Sequence, residues 1–270
     1  MRRGAAAAKI NLALVVGPRR SGGRHELLTV YQRVALCDHI TVSRSPEVRV
    51  DGFAADTLVR RALEFVADGS DLSFAARIKK RIPVAGGLGG GSSDAATALM
   101  LGNELRDEPR GADRLETFAR ELGADVPFFL HDGPQLGSDD GTTLEPLELP
   151  QDYWVLLLLP TGAEKGSTDQ VYAAFDARGG EDGYEARRDA LLDSLAAVRR
   201  PRDLAALPPN DLAGSPLADE LRALGAFRAD VTGAGPTVYG LFLHGEQARA
   251  AVKQISPKGR TWLTAPAWYR

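Results

Sequence analysis

Apolar and polar positions alternate early in the chain. In AKINLALVV, Ile10, Leu12, Leu14 and Val16 fall on one face of an extended strand, and Lys9, Asn11 and Ala13 on the other. A strand therefore aims Lys9 and Asn11 the same way, away from the apolar face. GPRRSGGRHE reads as a turn or loop. LLTVYQRVALCDHITVSR, rich in strand formers, reads as one or two strands. Helical spacing takes over after Asp56, an N-cap residue in front of Leu58, Val59, Ala62, Leu63 and Val66. Leu72, Phe74, Ala76 and Ile78 alternate as a strand that Pro83 ends. Past a glycine-rich run, a helix is predicted from about Asp94 to Leu105, with Ser92 or Ser93 as its cap. Another carries Leu115, Phe118, Ala119 and Leu122 up to a stop at Gly123.

The second half opens on YWVLLLLP, a buried strand. YEARRDALLDSLAAVRR is an amphipathic helix, and PRDLAALPPNDLAGSP a proline-rich connection. RADVTGAGPTVYGLFLHG reads as strand, glycine turn and strand, with a helix from about Glu246. Strands and helices mix without a regular alternation and without an internal repeat. The pattern predicts an α+β protein rather than a doubly wound sheet, divided near Pro150 into domains 1–150 and 151–270.

Composition narrows the chemistry. A net charge of -3 gives no bulk attraction to nucleic acid or to an anionic membrane, so a bound anion needs a local site. Cys37 is the single cysteine, which excludes an internal disulfide and a multi-cysteine metal site and fits a reducing compartment. MRRGAAAAKINLALVVG has the outline of a signal peptide, but Lys9 and Asn11 interrupt its apolar run. No window approaches the roughly 18 apolar residues of a membrane span. The expectation is a cytoplasmic protein.

PVAGGLGGGSSDAATALM can be a flexible linker, a structural turn or a phosphate cradle. Its flanks favour the cradle. A strand precedes it and an alanine-rich helix follows, which places free backbone N–H groups and the positive end of a helix dipole at one spot. No Gly-Lys-Ser/Thr closes the loop, and its glycines miss the dinucleotide-fold register.

The same stretch resembles the phosphate loop of the GHMP kinases, the superfamily of galactokinase, homoserine kinase, mevalonate kinase and phosphomevalonate kinase. AKINLAL, GGRHELLTVYQ, GADVPFFL and TGAGPTVYGLF resemble further motifs of that family, in family order across nearly the whole chain. They are most similar to the branch whose acceptor is a cytidine diphosphate-linked polyol, 4-diphosphocytidyl-2-C-methyl-D-erythritol. The resemblance implies an N-terminal domain like ribosomal protein S5 domain 2, a ferredoxin-like C-terminal domain, and a monomer or homodimer. It also implies transfer of the γ-phosphate of ATP, with Mg²⁺, to a hydroxyl of a small-molecule substrate in non-mevalonate isoprenoid biosynthesis.

Residue by residue, the resemblance implies ATP contacts from Pro83, Val84, Ala85, Gly86, Gly87, Leu88, Gly89, Gly90, Gly91, Ser92 and Ser93. Asp125 matches the catalytic aspartate, where a bare reading of the sequence also allows a helix-turn cap before Pro127. Lys9 matches a conserved lysine whose charge, beside Asp125, favours the ionised carboxylate and neutralises the transferring phosphate. Asn11 positions that pair or the substrate. His25 matches a residue that reads the cytosine edge, Tyr172 an aromatic that stacks on it, and Thr168 lies one turn before Tyr172 on the same face. Thr232, Gly233 and Gly235 form the last turn near phosphates and substrate.

The chain departs from the family at several places. Arg24 stands where a tyrosine is usual, and a guanidinium also stacks on a π face. Thr57 replaces an asparagine, SDDGTTLEPL replaces a G-x-G-E segment, TGAG replaces SGSG, and the usual proline before Lys9 is missing. These changes leave room for a kinase of another small alcohol. A catalytically silent binding protein is a further alternative, against which the retention of Lys9, Asp125 and the glycine loop argues. No pair of carboxylates has a spacing that commits it to a metal.

Overall fold

Two long strands set the frame of the computed structural model, which describes residues 1–53, 57–163 and 167–267. β1 (Arg2–Arg19) and β2 (His25–Ser45) pair antiparallel along nearly their whole length. β2 is one continuous strand where the sequence allows one or two. Asp56, the expected cap of the first helix, lies outside the described residues.

Next along the chain come β3 (Arg49–Asp51), α1 (Thr57–Ala67), β4 (Ser73–Lys79), α2 (Gly90–Asn103) and α3 (Ala112–Leu122). A 3₁₀ turn (Pro127–Leu130) leads to β5 (Gln135–Ser138) and β6 (Thr143–Pro146). The first sheet runs β3-β4-β2-β5-β6, with β1 also paired to β2. The chain then forms β7 (Trp154–Pro160), α4 (Thr168–Ala177), α5 (Tyr184–Ala197) and α6 (Pro216–Ala223). It ends with β8 (Arg228–Val231), β9 (Val238–Phe242), α7 (Gly245–Ile255) and β10 (Gly259–Thr264). The second sheet, β10-β7-β9-β8, is antiparallel throughout.

Three large apolar groupings hold most of this α+β arrangement together. One face of the first sheet meets α1, α2 and α3 through Ile40, Val42 and Phe74 against Val59, Leu63, Leu99 and Phe118. The other face brings Ile10, Leu12 and Val30 against Leu157, Leu191 and Tyr239 of the second half. A third grouping seals the second sheet under α6 and α7 through Leu158, Leu221, Phe242 and Ala251. Apolar helix α2 is buried almost all round. Gly102 permits its close approach to α1, since a methyl there would sit 3.2 Å from Val66.

Two sequence expectations are corrected here. The strict alternation of β1 breaks at a β-bulge between Asn11 and Ala13. Ile10 and Leu12 then share their face with Ala13 and Val15, whereas Leu14 and Val16 turn to a separate cluster with Phe175 and Leu212. One extra residue flips every later side chain to the opposite face. The second correction concerns α2, which begins at Gly90 rather than near Asp94. Its cap is Gly89 in the left-handed region (φ 68°), with no side-chain bond from Ser92 or Ser93. Both serines lie inside the first turn, because glycine alone enters the required conformation without steric cost.

Candidate active site

The edge of β1 that faces away from β2 gathers the motifs. Lys9 N donates to Leu88 O of the glycine loop at 2.9 Å. Asn11 N donates to Thr232 Oγ1 at 3.1 Å. Beyond the bulge, Asp211 N donates to Leu14 O, and Val16 N to Asp211 Oδ2, each at 2.9 Å. A single strand edge thereby ties the glycine loop, the Thr232–Gly235 turn and the Asn210–Asp211 segment together. The glycine loop and residues 233–235 of the turn line a cavity of about 770 Å³.

Lys9 and Asp125 meet in this cavity. Lys9 is 3% exposed. Its Nζ donates to Asn11 Oδ1 at 2.7 Å and lies 3.4 Å from Asp125 Oδ2. Asn11 Nδ2 donates to Thr29 Oγ1 at 2.8 Å, which fixes the amide oxygen toward the ammonium. Asp125 follows α3 and precedes the 3₁₀ turn, and its side chain is 36% exposed. A deeply held cation thus faces a carboxylate open to the cavity.

The glycine loop forms another wall. Pro83 to Ser92 all line the cavity, whereas Ser93 is buried behind it. The N–H groups of Gly90, Gly91 and Ser92, in the first turn of α2, have no acceptor within the helix. Gly87 has φ 78°, and a methyl on it would meet Gly235 O at 2.6 Å and Thr232 O at 2.8 Å. Close contact between loop and turn therefore requires glycine at position 87. Gly233 and Gly235 line the cavity, but Thr232 is buried one layer behind them, with its hydroxyl on Asn11.

His25, Arg24, Thr168 and Tyr172 line the same cavity. The His25 ring stacks on Tyr172 with centroids 4.8 Å apart and planes 19° apart. Its Nε2 donates to Asp176 Oδ1 at 2.7 Å, since an ionised carboxylate only accepts. Asp176 also accepts from Arg19 Nε and Nη2. The His25 hydrogen bond, followed by that of Arg19, holds the Asp176 carboxyl below its ordinary value. Burial pushes the Tyr172 phenol up to about 12, with a smaller push from Asp125. Arg24 donates to Asp140 Oδ2 at 2.6 Å.

Four contributors were not identified from sequence. Tyr31 donates its hydroxyl to Asp125 Oδ1 at 3.2 Å. Lys80, directly after β4, donates to Asp38 Oδ2 at 2.5 Å and Asp94 Oδ2 at 2.7 Å. Asp140 anchors Arg24. Asp176 had a readable signal, since Thr168, Tyr172 and Asp176 recur every four residues along one helix face. Tyr31 had none, because its place opposite Asn11 depends on strand register.

Among the described residues, no group of three or more His, Cys, Asp or Glu side chains could hold a metal ion. None of the described helices is long and apolar enough to cross a membrane.

Comparison with known proteins gives consistent matches. The model of the GHMP kinases N terminal domain matches residues 57–133, and that of the GHMP kinases C terminal region matches residues 215–260. A 4-diphosphocytidyl-2-C-methyl-D-erythritol kinase of Geobacter metallireducens is 36% identical over 278 residues, covering 96% of each chain. Its counterpart from Kineococcus radiotolerans is 35% identical and covers 93% of this chain and 85% of the relative. A crystal structure of 4-(cytidine 5'-diphospho)-2C-methyl-D-erythritol kinase superposes with a TM-score of 0.79 at 30% identity, covering 98% of this chain and 99% of that one. A mevalonate kinase structure superposes at 0.77 with 12% identity, covering 99% of both chains, a likeness of fold alone.

Proposed function

We propose, for a chain that belongs to the GHMP kinase family, that it transfers the γ-phosphate of ATP to the 2-hydroxyl of 4-diphosphocytidyl-2-C-methyl-D-erythritol, in non-mevalonate isoprenoid precursor biosynthesis. The observation that carries this reading is the convergence on one cavity of the glycine loop, the Lys9–Asp125 pair and the His25–Tyr172 pair.

Phosphoryl transfer asks mainly for positioning and charge stabilisation. The N–H groups of Gly90, Gly91 and Ser92, with the dipole of α2 behind them, suit the ATP phosphates. Asp125 takes the proton of the attacking hydroxyl as the new P–O bond forms and the bond to ADP breaks. Lys9 pairs with that carboxylate and offsets negative charge on the transferring group. Mg²⁺ bound with the nucleotide would supply further charge neutralisation at the phosphates.

At the base, His25 Nδ1 offers an acceptor for the exocyclic amine of cytosine, because Asp176 occupies Nε2. Tyr172, with one face on His25, presents the other to the pyrimidine. Arg24, drawn to Asp140, forms the rim of the base site in place of an aromatic ring.

The purified chain is tested with ATP, Mg²⁺ and a panel of alcohols that includes the cytidine diphosphate-linked one. ADP release is followed and the phosphorylated product identified. Turnover of the cytidine substrate is expected. Turnover of a different alcohol with none of the cytidine compound would sink the reading, and no ATP consumption with any acceptor would favour a silent binding protein.

A further inference from the structure

We infer that Tyr31 is a positioning residue for phosphoryl transfer, holding the Asp125 carboxylate in place through its buried hydroxyl. The inference rests on the proposed role of Asp125 as proton acceptor.

The Tyr31 ring is locked on several sides. It stacks on Phe128, with centroids 4.9 Å apart, just past Asp125 in the chain. Lys9 Nζ lies 5.2 Å from its centroid. The β5–β6 turn closes over it. A methyl on Gly137 would meet Tyr31 Cε2 at 2.6 Å, and one on Gly141 would meet the phenol oxygen at 2.8 Å. A side chain so confined carries its hydroxyl to one point, and that point is 3.2 Å from Asp125 Oδ1.

The two oxygens of Asp125 thereby have different neighbours, Tyr31 at Oδ1 and Lys9 at Oδ2. Both restrict rotation of the carboxylate. Burial pushes the Tyr31 phenol well above its ordinary value, and the adjacent Asp125 charge adds to the push. Tyr31 therefore remains a donor across any working pH. The charged and titratable groups around the pair are Lys9 on β1, Tyr172 on α4 and Asp140 on the β5–β6 turn. Packing alone accounts for the ring of Tyr31 and leaves its hydroxyl unexplained.

Tyr31→Phe keeps the ring and removes only the hydroxyl. With the cytidine substrate, kcat should fall about 10-fold, the scale of a hydrogen bond to a charged group. The KM values should stay within about 2-fold, with the thermal midpoint nearly unchanged, since positioning acts on the chemical step rather than on binding. Unchanged kcat would overturn the inference. So would a large rise in acceptor KM, which would make Tyr31 a substrate contact. A readout free of turnover is the ¹³C NMR chemical shift of the Asp125 carboxyl carbon at fixed pH, assigned by its loss in Asp125→Asn. It should move in Tyr31→Phe, and an identical shift defeats the proposal even if the natural acceptor proves to be another alcohol. Failure of the wild-type protein with the cytidine substrate bears on the function alone.

Discussion

Lys9 Nζ lies 3.4 Å from Asp125 Oδ2, with the lysine buried in β1 and the carboxylate about one-third open to the cavity. The exposed partner can meet a substrate hydroxyl while the buried one is held rigid by Asn11. Asp125→Asn keeps the shape and removes the proton acceptor, so kcat should drop by at least about 100-fold with little change in the KM for ATP. Steady-state kinetics decides this. A near-normal kcat would return Asp125 to a structural role at the turn before Pro127.

The glycine loop offers a matched pair of substitutions. Gly87→Ala forces a methyl against two backbone oxygens at a residue with positive φ, and neither side can yield cheaply. A stability loss of about 1–3 kcal/mol is expected, together with weaker ATP binding. Gly91→Ala meets only Leu58 Cδ1 at 3.7 Å and should leave stability almost intact. Denaturant unfolding and nucleotide titration calorimetry on both variants check the contrast, and equal effects would show that the Gly87 contact does not govern the loop.

Lys80 looks like a phosphate ligand by location, but two buried carboxylates share its ammonium. Asp38 also accepts the backbone N–H groups of Arg81 and Ile82, so the cluster pins the entry to the glycine loop. Burial opposes the Lys80 charge, yet the hydrogen bonds it donates to Asp38 and Asp94 outweigh it and raise its pKa. The pair's contribution is then present below the ordinary lysine value and lost as pH rises through the folded one. Lys80→Met leaves both carboxylates without their shared cation and should cost about 3 kcal/mol. Denaturant midpoints would contradict this if they stayed within about 0.5 kcal/mol of the parent, the range of a plain surface change.

The segment between β1 and β2 is tied down by carboxylates. Arg20 donates to Asp139, Arg24 to Asp140, and Arg19 and His25 to Asp176. The Asp139 carboxyl is lowered by Thr143 and then Arg20, and that of Asp176 by His25 and then Arg19. Burial pushes Asp140 up, but Thr142 and Arg24 outweigh it, so its carboxyl too lies below the ordinary value. Depressed carboxylates contribute above their unfolded value of about 3.9 and stop contributing as pH falls through the folded one. Hydrogen exchange, corrected for intrinsic rate, should show residues 20–25 losing protection below about pH 4 while β2 remains protected. Simultaneous loss in both regions would rule out a locally acid-sensitive loop.

Much of this arrangement is legible in the chain. The alternation around Lys9 and Asn11 places both on one face, and a lysine–asparagine hydrogen bond is the result. The glycine run between strand and helix announces an anion cradle, because free N–H groups and φ > 0 are local properties. The alanine-rich segment that follows is helical from its own propensity. Thr168 and Tyr172 share a helix face through a fixed period, and Asp176 continues it.

Other features required the folded chain. A bulge at Leu12 sends Leu14 and Val16 to the face that simple alternation denies them, and no local residue signals it. Glycine rather than serine starts α2, because the site needs its backbone in the left-handed region at Gly89. Thr232 and Ser93 lie behind the cavity instead of lining it. Tyr31 reaches Asp125 across 94 residues of sequence, and Lys80 finds Asp38 across 42. Local pattern governs which way a side chain points from its own strand or helix. Strand register and the meeting of distant segments govern what it faces, and those are settled by the packing of the whole molecule.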